Sequence, residues 1–490
     1  MASERLRGEP SITSYGAVGG TVTGSLHIYE SGQVGDHDYN ETVIDCGIFQ
    51  GENDLAEMNS KKARGLDVIN KISEGNPSFL FTHGHIDHLG FIAEVVRRGH
   101  VPTVYTTEET KKIIEMNLIR SVKAQKGSRF VDDFACSMRD VGDIVSNIKK
   151  VEPFVEVPVT RDKKIKAVFC PNGHIIGSSS ILIKDKTRDK NILFTGDVSR
   201  PDQLMTGGYN RYADKYPQDS IQVIMTESTC YPDKVVPFEK RIASFSNEVN
   251  SAFKRGSTIL MPCIQHRQME YIEIIRNCQK EGMISKNIEF VRDGPALVDI
   301  ANLYKDLEPD YLSKRYGDNS NFYDTGSSQL RFKLDNLKTI RKHQDSILFA
   351  NSIKNRRNKT IIFASGGMGE QGRVSNYFRE GFLEDSRNTV IFSCYQVEGT
   401  FGADLLKQQN KTGYRGATII KLEGGSSHAT GKDEVFGYLK RFNLESLETI
   451  IICHGSETSR KSMEEGLRQT EFAKDTDIRL PGIGERVDLV

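Results

Sequence analysis

Five short apolar runs of this chain each lead straight to a histidine or an acid: residues 79–82 to His83, 165–173 to His174, 193–196 to Asp197, 223–226 to Glu227 and 450–453 to His454. Runs rich in Val, Ile and Phe, separated by stretches with helical periodicity, read as buried strands of an α/β fold. In such folds the loops at the carboxyl ends of the strands converge on one edge of the sheet, where ligand sites assemble. Five ends carrying metal-competent or acid-base side chains therefore imply one shared site.

The alternation continues through apolar runs at 258–261, 360–363, 390–392 and 418–420, and helical stretches at 90–98 and 238–254 end at Gly99 and Gly256. Glycine just past a helix is the usual left-handed terminator. The polar, aperiodic stretch 309–328 reads as a surface loop. With 490 residues, 37% of them hydrophobic, the chain can bury more than one core. Lys plus Arg balance Asp plus Glu at 66 each, so any polyanion must be held by a local groove rather than by global attraction. The polar N-terminus and the lack of any apolar stretch of bilayer length point to a cytoplasmic protein that does not enter a membrane. Eight cysteines without a C-x-x-C pair fit reduced, buried thiols better than a disulfide frame or a thiolate zinc site.

The densest chemistry is Thr82-His83-Gly84-His85-Ile86-Asp87-His88. Imidazole and carboxylate donors favour zinc or a similar borderline ion, and ligands split across one turn can face two ions instead of one. A two-metal hydrolase is the first reading.

Further segments carry a resemblance. Residues 16–25, residues 44–51 with Asp45, the cluster at 83–88, Gly173-His174-Ile175-Ile176-Gly177-Ser178 and Phe194-Thr195-Gly196-Asp197 resemble, in order, the opening strands and four motifs of metallo-β-lactamase fold hydrolases. Glu227 in Thr-Glu-Ser-Thr, His428 in Gly-Gly-Ser-Ser-His-Ala and His454 in Ile-Cys-His-Gly are similar to motifs A, B and C of the β-CASP group, which processes RNA or DNA. Histidine at motif C resembles the RNA-processing branch. Ser365-Gly366-Gly367-Met368 and residues 399–402 resemble the group's glycine loops.

The resemblance implies an αββα sandwich built from residues 1–231 and 425–490, with an inserted α/β domain at 232–424. It implies two zinc ions per chain, with manganese as the alternative: His83, His85 and His174 on one, Asp87, His88 and His454 on the other, and Asp197 bridging. Such a pair can generate a bridging hydroxide at neutral pH and neutralise charge on a scissile phosphate. His428 would protonate the leaving oxygen and Glu227 would hold its imidazole, while Asp45 would order the ligand loop rather than bind metal. Ser365, Gly366, Gly367 and Met368 follow a strand and either cradle a phosphate with their N–H groups or simply turn the chain. Arg373 and Arg267 are candidates for backbone phosphates. His27, His37, His100, His266 and His343 have no motif partner and read as ordinary structural or surface histidines.

The expected activity is a zinc-dependent ribonuclease acting on single-stranded RNA, endonucleolytic with 5′ exonuclease activity besides, working alone, as a homodimer or with RNA-processing partner proteins. The alternatives are a catalytically silent RNA-binding subunit and a DNA nuclease of the same group. Two segments depart from the family pattern. Pro262-Cys263-Ile264-Gln265-His266-Arg267 is a residue short, and residues 429–434 are a residue long with Thr430 where an acid is frequent.

Overall fold

The computed structural model describes residues 9–32, 40–50, 76–125, 136–306, 334–356, 358–370, 372–409 and 413–489. His37 and the stretch 309–328, expected as a surface loop, lie outside them.

Two seven-stranded sheets face each other. The first runs Arg486–Asp488, Ser11–Ser14, His27–Glu30, Glu41–Ile44, Ser78–Leu80, Val104–Thr106, Ile148–Lys150. The second runs Asp477–Arg479, Thr449–Cys453, Val223–Glu227, Lys190–Phe194, Ser179–Asp185, Ile165–Pro171, Glu156–Pro158. Side chains alternate across a strand, so continuous apolar runs cover both faces. Leu80 in the first sheet and Ile192, Phe194, Met225 and Ile451 in the second share the core between the sheets. Their neighbours turn outward: Phe79 and Phe81 pack on Ile92, Val95, Ile114 and Leu118, while Leu193, Ile450 and Ile452 pack on Val435, Leu439 and Met463. The result is four layers, αββα.

The chain leaves the second sheet after Glu227 and re-enters at Thr449, in a strand that pairs in parallel with the one it left, Glu227 against Cys453. Between those points it builds a third, wholly parallel sheet of six strands in the order Leu337–Ile340, Glu289–Asp293, Thr360–Ser365, Thr258–Cys263, Thr389–Phe392, Thr418–Lys421. Its strand order reverses between Thr258–Cys263 and Thr360–Ser365. Ligand crevices of open α/β sheets lie at such a point, beyond the strands' carboxyl ends.

The helix expected over 238–254 runs Phe238–Lys254. The one expected over 90–98 runs Ile92–Arg97, because Gly90 is spent ending a four-residue helix, Ile86–Leu89, donating its N–H to Ile86 O at 2.7 Å. All eight cysteines are free and buried. Among the described residues no helix is long and apolar enough to cross a membrane.

Candidate metal centre

The loops after Glu41–Ile44 and Ser78–Leu80 lie against one another so closely that only glycine fits at position 47, where a Cβ would stand 1.5 Å from the Asp87 carbonyl oxygen. That contact places Asp45, held at φ +58°, beneath the metal-competent cluster. Its Oδ1 accepts from the Thr82 N–H at 2.8 Å, and its Oδ2 accepts from the Thr82 hydroxyl at 2.8 Å and faces His88 Nδ1 at 2.7 Å. The carboxylate thus orients His88 with Nε2 towards the site. Such outer partners govern ligand basicity, and their loss costs about 10–100-fold in metal affinity. Asp45→Asn is expected to weaken binding of one ion by that factor; unchanged affinity in a chelator competition would refute the orienting role.

Seven side chains gather beyond this loop in two groups. His83, His85, His174 and Asp197 form one, Asp87, His88 and His454 the other, each with ligand atoms within 4.8 Å of one another. In the first, His85 Nδ1 lies 3.0 Å from His83 Nε2 and 3.3 Å from His174 Nε2. In the second, His454 Nε2 lies 3.1 Å from His88 Nε2 and 3.7 Å from Asp87 Oδ2. Asp197 reaches both: Oδ2 is 3.6 Å from His83 Nε2 and from His174 Nε2, while Oδ1 is 3.4 Å from His88 Nε2 and from His454 Nε2. Donors bound tetrahedrally at about 2.0–2.1 Å stand about 3.3–3.4 Å apart. The spacings here, 3.0–3.7 Å, match those of donors that converge on one cation.

The electrostatics agree with a cation. Burial pushes His83 and His174 well below the usual histidine range and His85 down to about 4, so their lone pairs are available at neutral pH. His88 moves up, because Asp197 and Asp45 outweigh its burial. Burial also opposes the charged forms of Asp87 and Asp197, yet the neighbouring imidazoles, His454 foremost, hold both below the usual carboxylate range. Both acids thus stay charged inside a buried pocket.

The remaining donors owe their places to sheet pairing and to constrained backbone. His174 follows Gly173 (φ +77°), where a Cβ would meet Gly208 backbone at 2.7 Å, and His454 itself sits at φ +47° with its N–H on Ala17 O at 2.6 Å. Non-glycine residues rarely adopt that conformation, and such strain clusters at functional sites.

His428 stands beside the two groups. Its Nδ1 is 2.8 Å from Glu227 Oε2 and its Nε2 is 3.8 Å from Asp197 Oδ2. Glu227 is fixed in turn, Oε1 accepting the Val198 N–H at 2.5 Å. The segment 428–430 lies against the loop after Asp197 and the one after Glu227, bridging Ser199 to His428 and Cys230 to Thr430. Burial lowers His428, but Glu227 and Asp197 outweigh it and raise the imidazole to about 9.

Several partners of the site were not singled out from the sequence. Thr82 Oγ1 is 3.0 Å from His83 Nδ1, Thr229 Oγ1 is 2.8 Å from His454 Nδ1, and Gln203 Nε2 donates to His174 O at 2.9 Å. His266, read from sequence as ordinary, lies edge-on to His85 with ring centroids 5.8 Å apart. The adjacency of Thr82 to His83 and of Thr229 to Glu227 was the available hint for the first two; nothing local marks His266.

The glycine loop 366–368 follows Ser365 at the end of its strand, packed with Gly367 O accepting from Gln396 Nε2 at 3.1 Å and Met368 O from the Gly402 N–H at 2.8 Å. The Arg373 guanidinium is engaged inside the third-sheet region, on His343, on the Arg341 carbonyl at 2.8 Å, and 3.7 Å from the buried Asp293. Arg267, 7% exposed, reaches the carbonyls of Ser393 and Gly425. The contacts of both arginines in this arrangement are to the chain itself.

Two family models match the chain: "Metallo-beta-lactamase superfamily" over residues 37–224 and "Beta-Casp domain" over residues 271–405. Among curated relatives, "Probable RNase MJ4" of Methanocaldococcus jannaschii is 25% identical, covering 92% of this chain and 95% of its own length. "Ribonuclease TTHA0252" of Thermus thermophilus is 23% identical over 89% and 91%. "Transcription termination factor FttA" of Cenarchaeum symbiosum is 23% identical over 88% of this chain but only 65% of its own length, so the chain spans about two-thirds of that relative. Four layers, a parallel sheet inserted between adjacent strands and these matches agree: the chain carries a metallo-β-lactamase superfamily domain over residues 37–224 and a Beta-Casp domain over residues 271–405.

Proposed function

We propose that this chain is a metal-dependent ribonuclease that hydrolyses phosphodiester bonds of single-stranded RNA. The observation that carries the reading is Asp197, one carboxylate oxygen on each of two compact ligand groups. In this reading His83, His85 and His174 hold one zinc ion, Asp87, His88 and His454 hold the second, and Asp197 serves both. Ions held there supply a nucleophile from water at neutral pH and offset charge on the phosphate. His428 Nε2 faces the same space and delivers a proton to the leaving oxygen. Glu227 keeps that imidazole charged and correctly turned, the role an acid plays behind a catalytic histidine. Residues 232–424 act as a cap over the hydrolase domain formed by 1–231 and 425–490, leaving a cleft suited to a flexible, unpaired strand. The names of two near full-length relatives, RNase and ribonuclease, support RNA.

The test is cleavage of matched single-stranded RNA, single-stranded DNA and duplex RNA by protein of measured metal content, each substrate labelled internally and at the 5′ end. Single-stranded RNA should be cut, chiefly at internal bonds with 5′ trimming besides, and chelation should stop it. Equal cleavage of DNA would make this a DNA nuclease, and RNA binding without any cleavage would make it a silent subunit.

A further inference from the structure

The segment Pro262-Cys263-Ile264-Gln265-His266-Arg267, which departs from the family pattern, is where the third sheet meets the metal loop. It ends the strand Thr258–Cys263 at the point where that sheet's order reverses. Gln265 Nε2 donates to Asn117 Oδ1 at 3.3 Å, and Asn117 Nδ2 donates to the Gly84 carbonyl, inside the metal motif, at 2.7 Å. One residue further, the His266 ring stands at 73° to the His85 ring with centroids 5.8 Å apart.

The ring nitrogens that point away from the centre are matched for three ligands: His83 Nδ1 by Thr82, His88 Nδ1 by Asp45, His454 Nδ1 by Thr229. His85 differs. It turns Nδ1 to His83 and His174, and its outward Nε2 is buried with no partner among the described residues. The Nε2 of His266, a residue 6% exposed, is buried and unpartnered in the same way, while its Nδ1 lies 3.3 Å from the Tyr304 hydroxyl. His174 Nδ1 is also unpaired, but its ring neighbours are His83, His85 and His428, all within the site.

We propose that His266 is a positioning residue for His85: donating Nδ1–H to the Tyr304 oxygen, it presents Nε2 as the acceptor for the Nε2–H of His85. This rests on the reading of His85 as a metal ligand. An imidazole that coordinates through Nδ1 carries its proton on Nε2, and a buried N–H is rarely left unpaired. A residue at the start of the helix Arg267–Lys280, which follows a strand of the third sheet, thus fixes the tautomer and ring plane of a ligand of the first ion, linking the docking of that sheet to the ion's affinity.

The test compares the full-length protein with His266→Ala, His266→Leu and His266→Gln. Zinc affinity is measured by chelator competition, ligand geometry by the visible spectrum of the cobalt(II)-substituted protein, and folding by thermal unfolding of metal-free protein. Wild type should bind two ions. The alanine and leucine variants should bind one of them about 10–100-fold more weakly, with an altered cobalt spectrum, while glutamine, whose Oε1 accepts, restores most of both. If the alanine variant does not fold, the leucine and glutamine pair still decides. Wild-type affinities and spectrum in the leucine variant, or a glutamine variant as weak as leucine, would overturn the proposal by showing that His266 only fills space. A wild-type protein that binds no ion overturns the metal reading beneath it, and does so before any variant is compared.

Discussion

Replacing Asp197 by alanine is expected to weaken both ion sites at once and to reduce RNA cleavage by about 10³-fold or more. Its two oxygens are divided between the two imidazole groups at 3.4–3.6 Å. Without them the second group keeps one acid, Asp87, and the first keeps none. The several kcal/mol by which a correctly held ion stabilises a developing charge corresponds, at about 1.4 kcal/mol per tenfold, to that loss of rate. His85→Ala should follow the same course, losing metal and activity together, with the second group left intact. Metal analysis of purified variants checks both. An Asp197→Ala protein that retained two ions and full turnover would remove the shared carboxylate from the mechanism.

His428→Ala is expected to separate metal binding from turnover. The imidazole contributes to neither ligand group, so both ions should remain, while kcat falls by the 10²–10⁴-fold typical of losing a positioned proton donor. The pH profile gives an independent check. His428 is raised to about 9: its burial works the other way, but Glu227 and Asp197, with Asp87 behind them, favour the charged form. A proton donor must be protonated, so turnover should persist below about pH 9 and decline as pH rises through it. Glu227→Gln deletes the nearest charge that raises His428, and the alkaline limb should move down towards the ordinary histidine value near 6.5. A limb that stays in place would show that another group sets it.

Much of the site was legible because its signals are local. The crowding of four donors between His83 and His88 needs no tertiary information, and continuous apolar runs such as 79–81 and 192–194 announced the strands that lead to the site. Two kinds of detail were out of reach. The start of the helix at Ile92 depended on Gly90 closing a short helix first, a competition that glycine spacing alone does not resolve. The intramolecular partners of Arg373 and Arg267 depended on which acid or carbonyl lay nearest in space, and no local pattern of an arginine names such a partner.

The chain's own order of residues thus determined which side chains can bind metal, that they end strands of an α/β fold, and that one acid and one histidine, Glu227 and His428, accompany them. Tertiary structure decided how they divide. His88 and His454 are 366 positions apart and lie 3.1 Å from each other only because the Thr449–Cys453 strand pairs beside Val223–Glu227 and its sheet stacks on the first. The placing of His266 against His85 is of the same kind. Sheet order and the stacking of one sheet on another are set by packing across hundreds of residues, and a contact that joins two such units leaves no periodicity in either.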